Sequence, residues 1–185
     1  MAFQIQNFRS AISKQNGISR PNLFQVFITG GGATGIPSDF RFQCKIATIP
    51  PSTLGVIEIP YFGRQIKIPG NRTFDNLSLT VINDAKFSIR NEVEKWMAKY
   101  NSHQSNLTTG DVNSLMAGIT ITHYDQDAVS SGTWVFNNCF PVALGEIGLD
   151  WGSNDTAEEF TCDFAYDYWT HPGGAEASSG GAPGR

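Results

Sequence analysis

The sequence predicts a mainly β fold, a β-sandwich or small barrel with one flanking α-helix. Three observations carry this. Short runs with apolar residues at every second position recur along the chain. Pro, Gly and Asn punctuate them. One stretch alone has a clear helical period. The 185 residues suit one domain, and hydrophobic residues at 40% suffice for a substantial core.

In chain order, residues 6–14 read as a short helix with Phe8 and Ile12 one turn apart, broken by Asn16 and Gly17. Residues 23–29 read as a strand with Phe24, Val26 and Ile28 on one face. The glycine run at 30–32, followed by Pro37, reads as a flexible loop. It is not a phosphate cradle, because the sequence that follows alternates like a strand and does not open a helix. Residues 39–48 read as a strand with Phe40, Phe42, Cys44 and Ile46 on one face and Arg41, Gln43 and Lys45 on the other. Residues 56–61 form a further strand, turned at Phe62 and Gly63 into 65–68. A Pro69-Gly70-Asn71 turn then leads to a strand marked by Leu77, Leu79 and Val81.

Ile89, Val93, Trp96, Met97 and Tyr100 trace one stripe of a helix, capped by Asn83, Asp84 or Ser88. Residues 119–124 and 133–140 read as strands, the second stopped by Pro141, with a short bridging strand in 142–149. Residues 159–169 close the domain, with Phe160, Cys162, Phe164 and Tyr166 opposite Thr161, Asp163 and Asp167. The division is then an N-terminal arm at 1–20 with a short helix, a β domain at 21–170, and a Gly/Ser-rich flexible tail at 171–185.

Composition narrows the function. Charged residues are 16% of the chain, below the quarter usual in soluble domains. Either partners cover part of the surface, or the surface is Thr, Ser and Asn on a β-rich domain. A net charge of −4 with no Lys/Arg cluster argues against gripping nucleic acid through phosphates. Cys44, Cys139 and Cys162 lack a CxxC spacing, and they read as small buried hydrophobes. No apolar run is long enough for a membrane anchor. His103, His123 and His171 are scattered, and Asp125-Gln126-Asp127 lacks the glycine and distal Glu of a Ca²⁺ loop, so a turn is the better reading. The carboxylates Glu58, Asp150, Asp155, Glu158 and Glu159 sit in no motif that would set one apart as an acid or base. No catalytic, metal or cofactor residue is assigned.

Five segments occur in order: RPNLFQV at 20–26, FQCKIATIP at 42–50, RQIKIPGNRTFDNLSLTVIND at 64–84, LGEIGLDWGSND at 144–155 and DYW at 167–169. With a single helix after VIND, the series resembles the tail tube family of contractile-tailed bacteriophages. The resemblance implies a non-enzymatic structural subunit of the virion tail, assembled in the host cytoplasm. Such subunits form hexameric rings that stack into the inner tube. The implied partners are other copies, the tail sheath protein, the baseplate and tail terminator proteins, and DNA that passes without specific binding. Two alternatives are weighed: a tube subunit of a type VI secretion or contractile bacteriocin-like device, and a carbohydrate-binding β-sandwich using Tyr61, Tyr124, Trp134 and Trp169.

Within this reading, the apolar stretch at 50–64 is expected to project as a hairpin and contact the next ring through Leu54, Val56, Ile57, Ile59 and Phe62. The other possibility is a hairpin folded back on its own core. Lumen candidates are Gln43, Thr80, Asp163 and Asp167, on the polar faces of alternating runs.

Overall fold

A computed structural model describes residues 4–13 and 18–172. Nearly all of the expected tail at 171–185 lies outside these residues. The elements in order are α1 (Ile5–Ser13), β1 (Phe24–Thr29), a 3₁₀ turn (Gly31–Ala33), α2 (Phe40–Gln43), β2 (Cys44–Ala47), β3 (Ser52–Tyr61), β4 (Arg64–Phe74), β5 (Leu77–Ile82), α3 (Ser88–Tyr100), α4 (Val112–Leu115), β6 (Ala117–Tyr124), β7 (Ser130–Leu144), β8 (Glu159–Ala165) and β9 (Tyr168–Thr170).

Seven strands form one antiparallel sheet in the order β1-β6-β7-β8-β5-β2, with β9 added beside β7. The sheet folds into two layers because β7 serves both. Its first part pairs with β6 and β9, and its end, from Phe140, pairs with β8. The change of partner falls where Asn138 takes a left-handed φ of 58° and the register shifts. A bulge of this kind bends a strand and increases its twist. Pro141 therefore does not stop the strand, as the sequence suggested. It lies inside β7 opposite Phe164, next to a register shift, where the lost N–H is tolerated. The expected last strand is also divided: β8 ends at Ala165, and after a short break β9 continues in the same direction along β7, pairing with Asn137 and its neighbours.

The core lies between the layers. Val26, Ile119, Ile121 and Phe136 come from one side, and Leu77, Leu79, Val81, Phe160, Cys162 and Phe164 from the other. These are the positions that period-two alternation picks out. Helix α3 closes the open flank with Ile89, Val93 and Trp96. The Trp96 indole N–H donates to the Leu115 carbonyl at 2.8 Å. The N-cap position is taken by Phe87, at a left-handed φ of 54°, and by none of the three expected residues, but Asp84 accepts from the Ser88 N–H and the Ser88 hydroxyl, both at 2.7 Å. These bonds hold its carboxyl below the usual range.

Two further expectations are corrected. The glycine run is not a flexible linker. Gly32 is buried so close under α3 that an added Cβ would lie 1.9 Å from the Trp96 ring. Glycine is needed there for close approach. Residues 40–43 are a helical turn, not a strand, so Phe40 and Cys44 are buried one turn apart while Phe42 and Ile46 are exposed. A spacing of four satisfies both periods, and the short run could not separate them.

Candidate assembly surface

β3 and β4 stand apart as a two-stranded sheet. Almost every residue in them is exposed or nearly so. The segment projects and is not folded back on the core. The two-residue turn at Phe62 and Gly63 has φ of 42° and 80°, the signs required by a type I′ hairpin. A phenylalanine in left-handed backbone is strained, and such strain gathers where a side chain must be presented. Phe62 is 92% exposed, with its ring edge-on to Tyr61 at 4.7 Å.

The expected Pro69-Gly70-Asn71 turn is instead a bulge inside β4, opposite Gly55. A Cβ on Gly70 would come within 3.2 Å of the Gly55 backbone. In a ladder of two strands each strand is an edge, so Pro69 can leave its N–H position unbonded.

Register sorts the hairpin into two faces. Ile57 pairs with Ile68, Ile59 with Ile66 and Tyr61 with Arg64, so these share one face. Val56, Glu58, Pro60, Gln65, Lys67 and Pro69 share the other, where Lys67 and Glu58 approach to 3.6 Å. Of the five contact candidates, Ile57 and Ile59 lie on the isoleucine face, Leu54 and Val56 on the opposite face near the base, and Phe62 at the tip.

The lumen candidates divide. Thr80 on β5 and Asp163 on β8 share the face turned away from the core, with Thr80 opposite Thr161 and Asp163 opposite Ser78. Gln43 sits on the helical turn of α2, outside that face. Asp167 lies in the β8–β9 connection and accepts from the Asn138 amide at 2.6 Å. The main sheet ends at β1 and β2, whose outer edges carry no further strand among the described residues.

The short bridging strand expected at 142–149 is not formed: residues 142–144 end β7, and 145–158 are a prominent loop. Trp151 is fully exposed, and Leu149 is 82% exposed. Both ends of the loop are tied down. Gly145 donates to the Thr161 carbonyl at 2.7 Å, and Arg90 of α3 donates to the Gly145 carbonyl at 3.0 Å. The backbone N–H of Asn83 donates to the Glu158 carbonyl at 2.8 Å, and its side-chain amide reaches the Glu158 carboxylate. At the crest, Asp150 accepts from the Gly152 N–H at 2.9 Å, so Trp151 rides on a defined turn. The sequence signal that could have found it is a tryptophan followed by glycine within a run of acids that contains no base.

Chemistry-bearing groups are occupied elsewhere. All three cysteines are free and buried, and burial pushes each thiol up to about 12. Asp125 accepts from the Asp127 and Val129 N–H groups, both at 3.0 Å, which makes the turn read from the sequence. Trp134 and Trp169 are half-buried against the core and do not stand out as open sugar platforms. Among the described residues, no helix is long and apolar enough to cross a membrane.

A curled antiparallel sheet with a flanking helix and a free hairpin is a fold found in contractile injection machines. A chain of the PVC extracellular contractile injection system, in its extended sheath–tube complex, matches with a TM-score of 0.62 at 21% identity, covering 88% of this chain and 95% of that one. A chain of the anti-feeding prophage baseplate matches with a TM-score of 0.60 at 14% identity, covering 83% and 95%. Sequence gives the family. The model described as phage tail tube protein matches residues 13–171, and the chain belongs to that family. Tail tube protein gp19 of Enterobacteria phage T4 is 31% identical over 152 residues, 82% of this chain and 90% of that protein. The tail tube protein of Serratia phage KSP90 is 28% identical over 165 residues, covering 88% and 93%.

Proposed function

We propose that this tail tube protein assembles into closed hexameric rings that stack as the inner tube of a contractile tail and conduct DNA into the host. The observation that carries the reading is the hairpin: a strained aromatic tip and an uncovered isoleucine face, on a chain of the tail tube family. A monomer gains nothing by exposing such a face, and burial against other copies recovers the hydrophobic free energy. Heterologous contacts between unlike patches close into rings when the rotation permits and then stack.

In this reading the sheath surrounds the tube, and the baseplate and terminator meet its two ends. The subunits assemble in the host cytoplasm and act as structure, without catalysis. Leu54, Val56, Ile57, Ile59 and Phe62 contact the adjoining ring. The face bearing Thr80 and Asp163 is the better of the lumen candidates, since a polar, acidic wall repels phosphate and lets DNA slide. The division into arm (1–20), tube domain (21–170) and tail (171–185) belongs to the same proposal. The injection-device alternative shares the fold at 21% identity, whereas phage tail tube proteins reach 28% and 31%, which favours the phage tail.

Electron microscopy of the purified full-length chain at high concentration, with and without a baseplate seed, tests the reading. Annuli or hollow rods are expected. Single molecules alone, even with the seed, would overturn it.

A further inference from the structure

The hairpin and the Trp151 loop leave the sheet at opposite ends. β4 runs into β5 beside Leu77, which pairs with Phe164 near the end of β8. The loop enters β8 beside Glu159, which pairs with Ile82 at the far end of β5. A six-residue strand separates the two points of attachment, roughly 17–20 Å. The two features also differ in charge. The loop carries Glu146, Asp150, Asp155 and Glu158 with no Lys or Arg, while the hairpin carries Arg64, Lys67 and Arg72 against the single acid Glu58. Arg64, on the isoleucine face, has no ion-pair partner among the described residues.

We propose that the β7–β8 loop of one copy docks, Trp151 foremost, on the isoleucine face of the β3–β4 hairpin of a second copy in the adjoining ring. This rests on the stacked-ring reading and names the occupant of the hairpin. The isoleucine face carries Arg64 beside its apolar centre, and the loop carries acids around Trp151; these opposite signs favour the correct pair and disfavour hairpin on hairpin or loop on loop. Tryptophan is among the residues enriched as desolvated anchors at interface centres. The loop is anchored at both ends and at its crest, so little conformational entropy is lost on docking. Location at opposite ends of the sheet makes the contact head-to-tail, so each copy offers one of each patch and the stack grows without limit.

Two variants of the full-length chain test this, each checked by thermal unfolding against the unmodified protein. Trp151→Ala leaves the hairpin intact, and Ile66→Asp leaves the loop intact. Each is expected to raise the concentration needed for tube growth about 30-fold, the scale of losing a central aromatic anchor. A 1:1 mixture is expected to form complexes with one good junction, about twice the size of either variant's own particle by sedimentation, because an intact loop then meets an intact hairpin. Arg64→Glu is expected to raise the same concentration about tenfold, and adding Asp155→Lys in the same chain to restore it. Tubes from Trp151→Ala at the unmodified protein's concentration, or a mixture with no larger complex, would overturn the proposal while leaving the ring reading intact. An unmodified chain that forms no tubes would overturn both.

Discussion

The curled sheet and the β3–β4 hairpin are built from the same residue types, yet they treat them oppositely. In the sheet, Leu77, Leu79, Val81, Phe160, Cys162 and Phe164 alternate with polar neighbours and are buried to the last atom or nearly so. In the hairpin, Ile57, Ile59, Ile66 and Ile68 alternate just as regularly, and each is about half exposed. Period-two alternation thus says that a strand has an apolar face. It does not say whether that face is covered within the chain or by another one. The core holds the subunit together, and the hairpin holds nothing in the monomer, which is what a part reserved for assembly should do.

Substitutions in the two regions should therefore separate folding from polymerisation. The largest effect is expected in the core: Trp96→Ala removes a fully buried indole and its hydrogen bond and should cost about 3–5 kcal/mol in urea unfolding. Gly32→Ala comes next, because the new methyl group meets the Trp96 ring, and overpacking of this kind costs about 1–3 kcal/mol. A wild-type denaturation midpoint for Gly32→Ala would mean that the glycine turn is looser than it looks.

Alkaline pH should also strike the core and spare the hairpin. The three thiols have folded pKa values raised from 9.0 to about 12 by burial. The unfolded chain then ionises first, so the stability linked to these groups is whole below pH 9 and is lost as the pH climbs toward 12. Thermal unfolding followed from pH 7 to 11 should show this loss, and Cys162→Ala should reduce it. A flat profile above pH 9 would contradict the burial argument.

In the hairpin the expected folding effects are small. Leu54→Ala with Ile57→Ala should change monomer stability by less than about 0.5 kcal/mol, as for exposed sites generally, and yet leave rings or monomers in place of tubes. Phe62→Asn sharpens the point. Asparagine suits the left-handed turn better than phenylalanine, so the monomer should be as stable or slightly more so while tube growth weakens. Normal tubes from either variant would assign the hairpin a different role.

The regular elements were legible where one period ran long enough. The stripe from Ile89 to Tyr100 gave α3, and the alternating runs gave β1, β5, β6 and most of β8. Two of the differences share a cause: proline and glycine punctuate chains in general, and that tendency does not fix their local role. Pro69-Gly70 and Pro141 break regular pairing in general, but here they occupy bulges within strands, where neighbours determine register. Phe40 and Cys44 fit both periods, so a helical turn passed for a strand and carried Gln43 onto the wrong element. The candidate surface was legible in part. Hydrophobic content and the turn at Phe62-Gly63 marked the hairpin, whereas the exposure of Trp151 depends on how the loop ends are tied to Thr161 and to Asn83 and Arg90, the last two far away in sequence.

Hydrogen exchange, measured on the free chain and on assembled material, tests the division between core and hairpin most directly. Amides of β5 and β8 should be protected in both states. Those of β3 and β4 should exchange rapidly in the free chain and become comparably slow once copies associate. Assemblies whose β3 and β4 amides still exchange as fast as in the free chain would contradict the claim that other subunits cover this hairpin.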